Sequence, residues 1–247
     1  MEAEAMPFVE HLGLTKDEEL FESNLPFLAF SGSFKDAKVT VITNGKDGVY
    51  NTGVDNVGTV PAALATYLAL AKLQSVDILI NAGTAGGFKR KGAAIGDVFL
   101  TTAAANHDRR IAIPGFTSYG IGRLDSMKSD DSEASDTMIN PSKLAKALEY
   151  KTGVVTTGNS LDKTDECDKR MLENDASVKD MEAAAIAWSC ALMQKPFLGL
   201  KVVTDIVDGD IPTQDEFMAN LATAAKSLQE ALPKVLDAIV GKTYSDL

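Results

Sequence analysis

The sequence predicts an α/β protein, a three-layer α/β/α sandwich around a mixed, mostly parallel sheet. Two observations support this fold class. Short apolar runs rich in β-branched residues recur along the chain, and helical patterns alternate with them. Such runs suit strands buried on both faces, and strands that alternate with helices form layered α/β folds. The predicted strands are Val39–Thr43, Val76–Ile80, Asp97–Thr102, Gly153–Thr157 and Phe197–Val203.

Two helices are predicted in the middle of the chain. The first spans Thr59–Gln74, with Thr59 as a candidate cap and Pro61 in the first turn, where a missing N–H does no harm. The second spans Lys179–Gln194, which is rich in alanine and has no internal glycine or proline. Each follows a predicted strand or loop, as an α/β fold requires.

A third helix is predicted to begin at Thr213 and to continue towards the C-terminus. Thr213 and Glu216 match the spacing of a capping box, and apolar residues recur at helical spacing from Phe217 to Ile239. Pro233 interrupts this stripe, and proline inside a helix removes a hydrogen bond. We therefore expect a kink or a break at that position.

The composition indicates the kind of fold and excludes some classes of binding partner. The 247 residues are 45% hydrophobic, enough for one α/β domain that spans residues 1–247. The formal net charge is −11. Binding to nucleic acid or to an anionic membrane surface needs clustered Lys and Arg, so neither partner is expected.

Cysteine usage and the N-terminus favour a cytoplasmic protein. Cys167 and Cys190 show no metal-site spacing, and two free thiols are the simpler interpretation, although the sequence leaves a disulfide open. No apolar run is long enough to span a membrane, and the N-terminus lacks the basic and apolar regions of a signal peptide. No metal site is expected.

The polar segments that follow the predicted strands are the expected place for a ligand. The most unusual is NAGTAGGF (Asn81–Phe88), whose glycines allow the backbone to approach a bound molecule. The spacing is neither that of a Rossmann fingerprint nor that of a Walker loop, so a tight turn is an equal alternative. The segment Lys128–Asn140 is rich in Ser and Asp and is predicted to be an exposed loop.

Three carboxylates are candidates for chemistry. Glu4 lies near the start of the chain, Glu182 near the start of a predicted helix, and Asp205 after a predicted strand. Carboxylates in different environments can act as acid, base and ligand within one site, although a helix dipole or a turn can also explain each of them. No Ser-His-Asp arrangement is evident with only two histidines, and we interpret HDRR (His107–Arg110) as a salt-bridged surface loop.

Taken together, several motifs resemble one family. NAGTAGGF, HDRRI, TTGNSLD, KDMEAAA and VTDIVDGD are similar to the 5′-methylthioadenosine nucleosidases, especially the plant type, of the purine nucleoside phosphorylase/uridine phosphorylase superfamily. The resemblance runs over the whole chain. It implies a nucleoside phosphorylase-like fold and a homodimeric hydrolase without a cofactor. The implied substrate is 5′-methylthioadenosine, joined in some members by S-adenosylhomocysteine, in the recycling of methionine sulfur.

The resemblance also implies roles for individual residues. Asp205 matches the acid that protonates N7 of adenine, and Glu4 matches the base that activates the attacking water. Glu182 matches the carboxylate that holds the ribose hydroxyls, and Asp205 is expected to have a raised pKa because it must be protonated to act. The remaining substrate-binding positions implied by the family are Thr84, Leu161, Lys179, Asp180 and Met181.

One departure from the family concerns the N-terminal end. The family has a short apolar strand directly before the MEAEAMP-like segment, and no residue precedes Met1 in this sequence. We therefore expect a missing first strand in the interior of the sheet, with its neighbours partly unpaired. Glu4 would then lie close to the α-amino group of Met1, whose charge would lower the pKa of Glu4 and weaken it as a base.

Three other functions remain alternatives at this level. A phosphorylase of the same superfamily would need cations around a phosphate, for which Lys201, Arg109 and Arg110 are the candidates. A non-catalytic relative, similar to the plant storage proteins that share the fold, would be expected to lose the three carboxylates, which are present. A dinucleotide-binding oxidoreductase is not supported by the glycine spacing.

Overall fold

The computed structural model describes residues 1–126 and 139–246. The predicted exposed loop over Lys128–Asn140 lies almost entirely outside them. The helices are α1 (Glu2–His11), α2 (Thr59–Lys72), α3 (Thr117–Ile121), α4 (Ser142–Leu148), α5 (Asp165–Glu173), α6 (Ala183–Leu192) and α7 (Thr213–Ile239).

The strands form two sheets. The order in the first sheet is β1-β2-β3, and both pairings are antiparallel. The order in the second is β6-β5-β7-β8-β4-β9, and β9 also pairs with β5, which closes five strands into a ring. The strands are β1 (Thr15–Lys16), β2 (Leu28–Phe34), β3 (Ala37–Thr43), β4 (Leu79–Gly87), β5 (Val98–Asn106), β6 (Leu124–Asp125), β7 (Lys151–Thr157), β8 (Ala176–Asp180) and β9 (Phe197–Ile206).

The second sheet is mixed, as predicted. Its pairings β4–β9, β5–β7 and β7–β8 are parallel, whereas β4–β8, β5–β6 and β5–β9 are antiparallel. Helices cover the sheet, and α7 packs its apolar stripe on β4 and β9 around buried residues such as Leu200, Leu228 and Val235. The predicted α/β class with a mixed sheet is therefore confirmed.

The glycine-rich segment is a strand rather than a loop. The predicted strand ended at Ile80, but β4 continues through Gly87 and pairs with β9 along its whole length. Close packing explains the glycines, because a Cβ atom on Gly87 would lie 2.7 Å from Ala93 Cβ and 2.8 Å from Val203 Cγ1. The tight-turn alternative for Asn81–Phe88 is therefore wrong.

The helix predicted over Lys179–Gln194 begins later than expected. Lys179 and Asp180 end strand β8, and α6 starts at Ala183. The alanine-rich part is helical as predicted, but its first residues pair with β4 and β7. These residues form a strand because they complete the hydrogen-bond ladder between β4 and β7. This pairing is a long-range effect, and local helix propensity does not predict it.

The predicted capping features at two helix starts are also wrong. Gly58 precedes α2 and Pro212 precedes α7, and neither end has a side-chain cap. Glu216 instead accepts a hydrogen bond from the N–H of Ile206 at 2.6 Å, which joins α7 to the end of β9. Helix α7 runs through Pro233 without a break.

A long cleft separates the two sheets. Strand β3 pairs only with β2, and residues Leu79–Ala85 of β4 pair only with β9, so among the described residues each strand has one edge without a strand partner. Both edges line the cleft, where Thr43 Oγ1 and Asn81 Oδ1 are buried without a hydrogen-bond partner. The expectation of unpaired neighbours is confirmed.

Within the described ranges, the helices are too short or too polar for a bilayer span.

Candidate active site

The three candidate carboxylates line the same cleft. The cleft has a volume of about 1810 Å³, and its lining includes Glu4, Glu182 and Asp205. They come from three distant parts of the chain, namely α1, the start of α6 and the end of β9. All three line this cleft, and Asp205 is the residue before the last of β9, which runs parallel to β4.

Asp205 is held by an interior strand. It is 2% exposed and accepts a hydrogen bond from the hydroxyl of Thr204 at 2.7 Å. Burial raises the pKa of Asp205 and the nearby Glu216 raises it further, although Thr204 and Lys179 act in the opposite direction. The predicted raised pKa is confirmed, and a protonated carboxyl can donate a proton to a bound base.

Glu4 is held from both sides at the first turn of α1. Its Oε1 accepts hydrogen bonds from the N–H and the hydroxyl of Thr84, both at 2.7 Å, and its Oε2 lies 2.5 Å from the α-ammonium of Met1. Burial alone would raise the pKa of Glu4, but the ammonium and the Thr84 hydrogen bonds outweigh it and lower the pKa. The predicted effect of the α-amino group is confirmed.

Glu182 lies between β8 and α6 and is partly buried. Its Oε1 accepts a hydrogen bond from the N–H of Gly58, at the N-terminus of α2, at 2.8 Å. Burial raises the pKa of Glu182, and the neighbouring charges of Asp180 and Glu4 raise it further, whereas Lys201 lowers it. Met181, next to Glu182, also lines the cleft.

Lys179 organises the loop after β7. Its ammonium donates to the carbonyls of Ser160, Leu161 and Asp162, at 2.9, 2.6 and 3.3 Å. Burial lowers the pKa of Lys179, although the charge of Asp205 raises it. These contacts bring Leu161 to the cleft lining, where its side chain stays 40% exposed. The side chain of Lys179 thus positions the loop.

Both carboxylate oxygens of the buried Asp180 have partners inside the protein. One carboxylate oxygen accepts the hydroxyl of Thr157 at 2.6 Å, and the other accepts the N–H of Ala183 at 2.9 Å and lies 2.8 Å from the ammonium of Lys201. The Thr157 hydroxyl in turn accepts the N–H of Ala184 at 2.9 Å. Asp180 therefore fastens the start of α6 to β7 and β9.

The segment His107–Arg110 matches the predicted salt-bridged surface loop only in part, because Arg109 and Arg110 are exposed but His107 is buried. His107 is 3% exposed and its Nδ1 lies 3.2 Å from the hydroxyl of Thr156. Burial lowers the pKa of His107 to about 4, so the ring is neutral at pH 7. Arg109 donates to the carbonyls of Tyr119 and Gly120.

In the part of the chain that the structure describes, neither the cysteines nor the other ligating residues form a metal site. Cys167 and Cys190 are both buried and free. Over the described ranges, no three His, Cys, Asp or Glu side chains are close enough together to hold a metal ion.

Comparison with known proteins places the chain in a family. A family model described as the phosphorylase superfamily matches residues 1–237. An Arabidopsis thaliana 5′-methylthioadenosine nucleosidase is 43% identical over the whole chain and 87% of its own length. An Arabidopsis 5′-methylthioadenosine/S-adenosylhomocysteine nucleosidase is 41% identical over the whole chain and 92% of its own length. The chain belongs to the 5′-methylthioadenosine nucleosidases of the phosphorylase superfamily.

Solved structures of nucleosidases agree with this assignment. The apo form of an Arabidopsis 5′-methylthioadenosine nucleosidase superposes with a TM-score of 0.91 at 42% identity, covering the whole chain and 96% of that structure. A Helicobacter pylori nucleosidase structure reaches a TM-score of 0.73 at 20% identity, which shows that the fold is shared. The fold class inferred from the sequence is thus that of the nucleosidases.

Sequence reasoning overlooked several residues that build this nucleosidase site. Thr204 bonds Asp205 but had no assigned role within VTDIVDGD, and Gly58 bonds Glu182 from a segment that showed no motif. Gly86 is the third overlooked residue. A Cβ atom at this position would lie 2.7 Å from Asp205 Oδ2, so only glycine leaves room for the carboxylate. A polar residue directly before Asp205 and a glycine before the first residue of α2 were the available signals, and both are weak without the fold.

Proposed function

We propose that this chain hydrolyses the N-glycosidic bond of 5′-methylthioadenosine to release adenine and the methylthioribose. The observation that carries the proposal is the pairing, in one cleft, of a buried carboxyl with a raised pKa, Asp205, and a carboxylate with a lowered pKa, Glu4. Opposite shifts of this kind separate an acid from a base. The names of the Arabidopsis relatives supply the substrate.

In the proposed reaction Asp205 donates its proton to N7 of adenine as the bond from N9 to the sugar breaks. The leaving group then departs as neutral adenine instead of as an anion. General acid catalysis of this kind contributes about 10² to 10⁴-fold in rate. Thr204 supports the role because its hydroxyl holds one oxygen of Asp205.

Glu4 is proposed to take a proton from the water that attacks the anomeric carbon. Positive charge develops on the sugar as the bond to adenine breaks, and nearby carboxylates stabilise it. Glu182 is proposed to hold the ribose hydroxyls, with Met181 packed on the sugar and Thr84 next to the water. Leu161 is proposed to contact the adenine ring, and Lys179 and Asp180 to support the site through the contacts described above.

Hydrolysis is favoured over phosphorolysis by the arrangement of the cations. Lys201 is paired with Asp180, and Arg109 donates to backbone carbonyls. Arg110 lies 3.8 Å from Cys167 Sγ, and neither arginine contributes to the cleft lining. None of these three candidate cations is therefore arranged to bind a phosphate in the cleft.

An adenine-release assay tests the proposed function. Purified chain is incubated with 5′-methylthioadenosine or S-adenosylhomocysteine, with and without phosphate, and the sugar product is identified by mass spectrometry. We expect adenine and free methylthioribose at a rate that phosphate does not change. A sugar 1-phosphate, or a rate that depends on phosphate, would favour phosphorolysis, and no adenine from either nucleoside would favour a non-catalytic relative.

We further propose that the chain works as a homodimer through an apolar face beside the cleft. On α2, Val60, Leu64 and Tyr67 recur at helical spacing and are exposed, and on the adjacent α6 Trp188 and Leu192 are exposed as well. Large contiguous apolar patches on a soluble protein mark interaction surfaces. The face continues towards the cleft, because Val57 is exposed and also lines it.

Sedimentation velocity tests the dimer. We expect the wild-type chain to sediment with twice the monomer mass, and Tyr67→Glu or Trp188→Glu to shift it towards the monomer. A matched control is Met218→Glu, since Met218 is exposed on α7 outside this face. A monomeric wild-type chain at micromolar concentration would contradict the proposal.

A role in methionine salvage in the cytosol completes the proposal. The free thiols of Cys167 and Cys190 support a reducing compartment, and the names of the relatives support the metabolic role. Fluorescence microscopy of the tagged chain would test the compartment, and an extracellular or vesicular signal would contradict it.

A further inference from the structure

Two consecutive N–H groups at the start of α2 donate to side chains from different parts of the chain. The N–H of Gly58 donates to Glu182 Oε1 at 2.8 Å. The N–H and the hydroxyl of Thr59 both donate to Asn159 Oδ1, each at 2.9 Å. Asn159 thus supplies, from a distant segment, the acceptor that a helix N-terminus usually takes from a neighbouring side chain.

The backbone of Gly58 brings the two acceptors to adjacent N–H groups. Its φ of +98° lies in a region that L residues rarely adopt, so glycine is required at this position. A Cβ atom on Gly58 would lie 3.0 Å from Asn159 Oδ1, which is closer than an ordinary contact. The side chain of Asn159 therefore lies directly against the turn whose N–H reaches Glu182.

Asn159 is itself held in place on the loop that follows β7, although its side chain is exposed. Its N–H donates to Asp108 Oδ2 at 2.6 Å. The ammonium of Lys179 donates to the carbonyls of Ser160 and Leu161, at 2.9 and 2.6 Å. The loop is thus fastened at Asn159 and at the two residues that follow it.

The hydrogen bond from Gly58 orients the carboxylate that is proposed to hold the sugar. Among the described residues, it is the one hydrogen bond that the carboxylate of Glu182 accepts. Because Oε1 is bound to the turn, Oε2 is left to accept a hydrogen bond from a ribose hydroxyl. A displaced turn would release Oε1, and the carboxylate would lose its fixed orientation.

We propose that Asn159 is a positioning residue for substrate binding. It fixes the turn at Gly58 and Thr59, and the turn holds Glu182 in the orientation that accepts hydrogen bonds from the ribose hydroxyls. This inference rests on the proposed function. Leu161, which is proposed to contact adenine, lies two residues further along the same loop. Asn159 therefore couples the part of the site that binds adenine to the part that binds the sugar.

The KM and kcat of Asn159→Ala test this role. Loss of the acceptor releases the turn, and we expect KM for 5′-methylthioadenosine to rise about fivefold, the scale of one lost helix cap. The value of kcat should stay near that of the wild type, because Thr204 and Thr84 still hold the proposed acid and base. Asn159→Asp keeps an acceptor at a helix N-terminus, where negative charge is favourable, and should restore the wild-type KM.

A substrate analogue separates a role through Glu182 from a general role of the loop. The 2′,3′-dideoxy analogue of 5′-methylthioadenosine lacks the hydroxyls that Glu182 is proposed to hold, and its competitive inhibition constant is measured. Asn159→Ala should leave that constant nearly unchanged while KM rises, because Asn159 and the hydroxyls contribute through one shared interaction. An equal rise of both would show that Asn159 acts on the loop alone and would contradict the inference.

Asp17→Ala is the matched control. Asp17 also accepts two backbone N–H groups, those of Glu19 and Leu20, at 3.1 Å each, and it lies outside the cleft lining. This variant should keep the wild-type KM. Melting curves of all variants show whether unfolding contributes to a change in KM.

The failure of this inference differs from the failure of the proposed function. A wild-type chain that releases no adenine overturns the proposed function. A wild-type chain that is active, with a KM that Asn159→Ala does not change, overturns the role of Asn159 alone. A raised KM that Asn159→Asp does not restore would also contradict it, since the carboxylate keeps the acceptor.

Discussion

The two proposed catalytic carboxylates are held in very different ways. Asp205 sits on β9, which has strand partners on both sides, and it is almost completely buried. Glu4 sits in the first turn of α1, beside the cleft where β3 and β4 each have an unpaired edge within the described part of the chain. The acid therefore depends on packing within a sheet, and the base depends on Thr84 and on the charge of Met1.

The largest effect is expected from breaking the packing at the acid. A Cβ atom on Gly86 would lie 2.7 Å from Asp205 Oδ2 and 2.6 Å from Val207 Cγ2. Gly86→Ala should therefore displace Asp205 and lower kcat for adenine release by at least about 10²-fold, the scale of a lost general acid. Overpacking of this kind costs about 1–3 kcal/mol, so the variant should also melt earlier.

Gly48→Ala is the matched control, because a Cβ atom there meets no atom within 4 Å. Its kcat and melting temperature should equal those of the wild type. A Gly86→Ala variant that keeps wild-type activity would show that Asp205 does not need its observed position.

A smaller effect is expected from filling the cleft beside the base. The change is a fusion of an apolar, β-branched segment of about seven residues before Met1. We predict that this segment forms a strand that pairs with the free edges of β3 and β4. At about 3.3 Å per residue, the segment is long enough to run along these edges. The melting temperature and kcat should both rise, since apolar area is buried and α1 is tied down.

A Gly-Ser segment of the same length serves as the control, because it also removes the free ammonium but buries little apolar area. Equal melting temperatures for the two fusions would contradict the pairing. Unchanged activity in the apolar fusion would show that α1 alone holds Glu4 well enough.

The smallest effect is expected from the charge of Met1. Acetylation of its amino group removes the ammonium that lies 2.5 Å from Glu4 Oε2, so the pKa of Glu4 should rise. A base acts only when ionised, so the acid-side fall of kcat should move to higher pH. The pH profile of the acetylated chain measures this shift, and an unmoved acid limb would mean that the ammonium does not control Glu4.

The sequence predicted the elements that depend on local patterns. The strands β3, β5, β7 and β9 and the long helix α7 follow from apolar runs and from helical spacing. The three carboxylates that line the cleft were candidates from their places in the sequence, and the family resemblance implied their roles.

The predictions that were wrong share one physical cause, which is packing between residues that are far apart in the chain. The glycines of β4 looked like a turn, but they are required because Val203, Ala93 and Asp205 approach the backbone closely. Asp180 looked helical, but its carboxylate is taken by Thr157 and Lys201 from other strands. Contacts between residues that are far apart in the chain leave no local pattern, so neither could be predicted before the fold was known.

The central claim is that Asp205 and Glu4 act as acid and base on one nucleoside, and one measurement tests it most directly. Adenine release from 5′-methylthioadenosine is compared for the wild type, Asp205→Asn and Glu4→Gln, with melting curves to confirm folding. We predict that the wild type is active without phosphate and that each variant loses about 10² to 10⁴-fold in kcat while remaining folded. A folded variant at either position that keeps most of the wild-type rate would contradict the account.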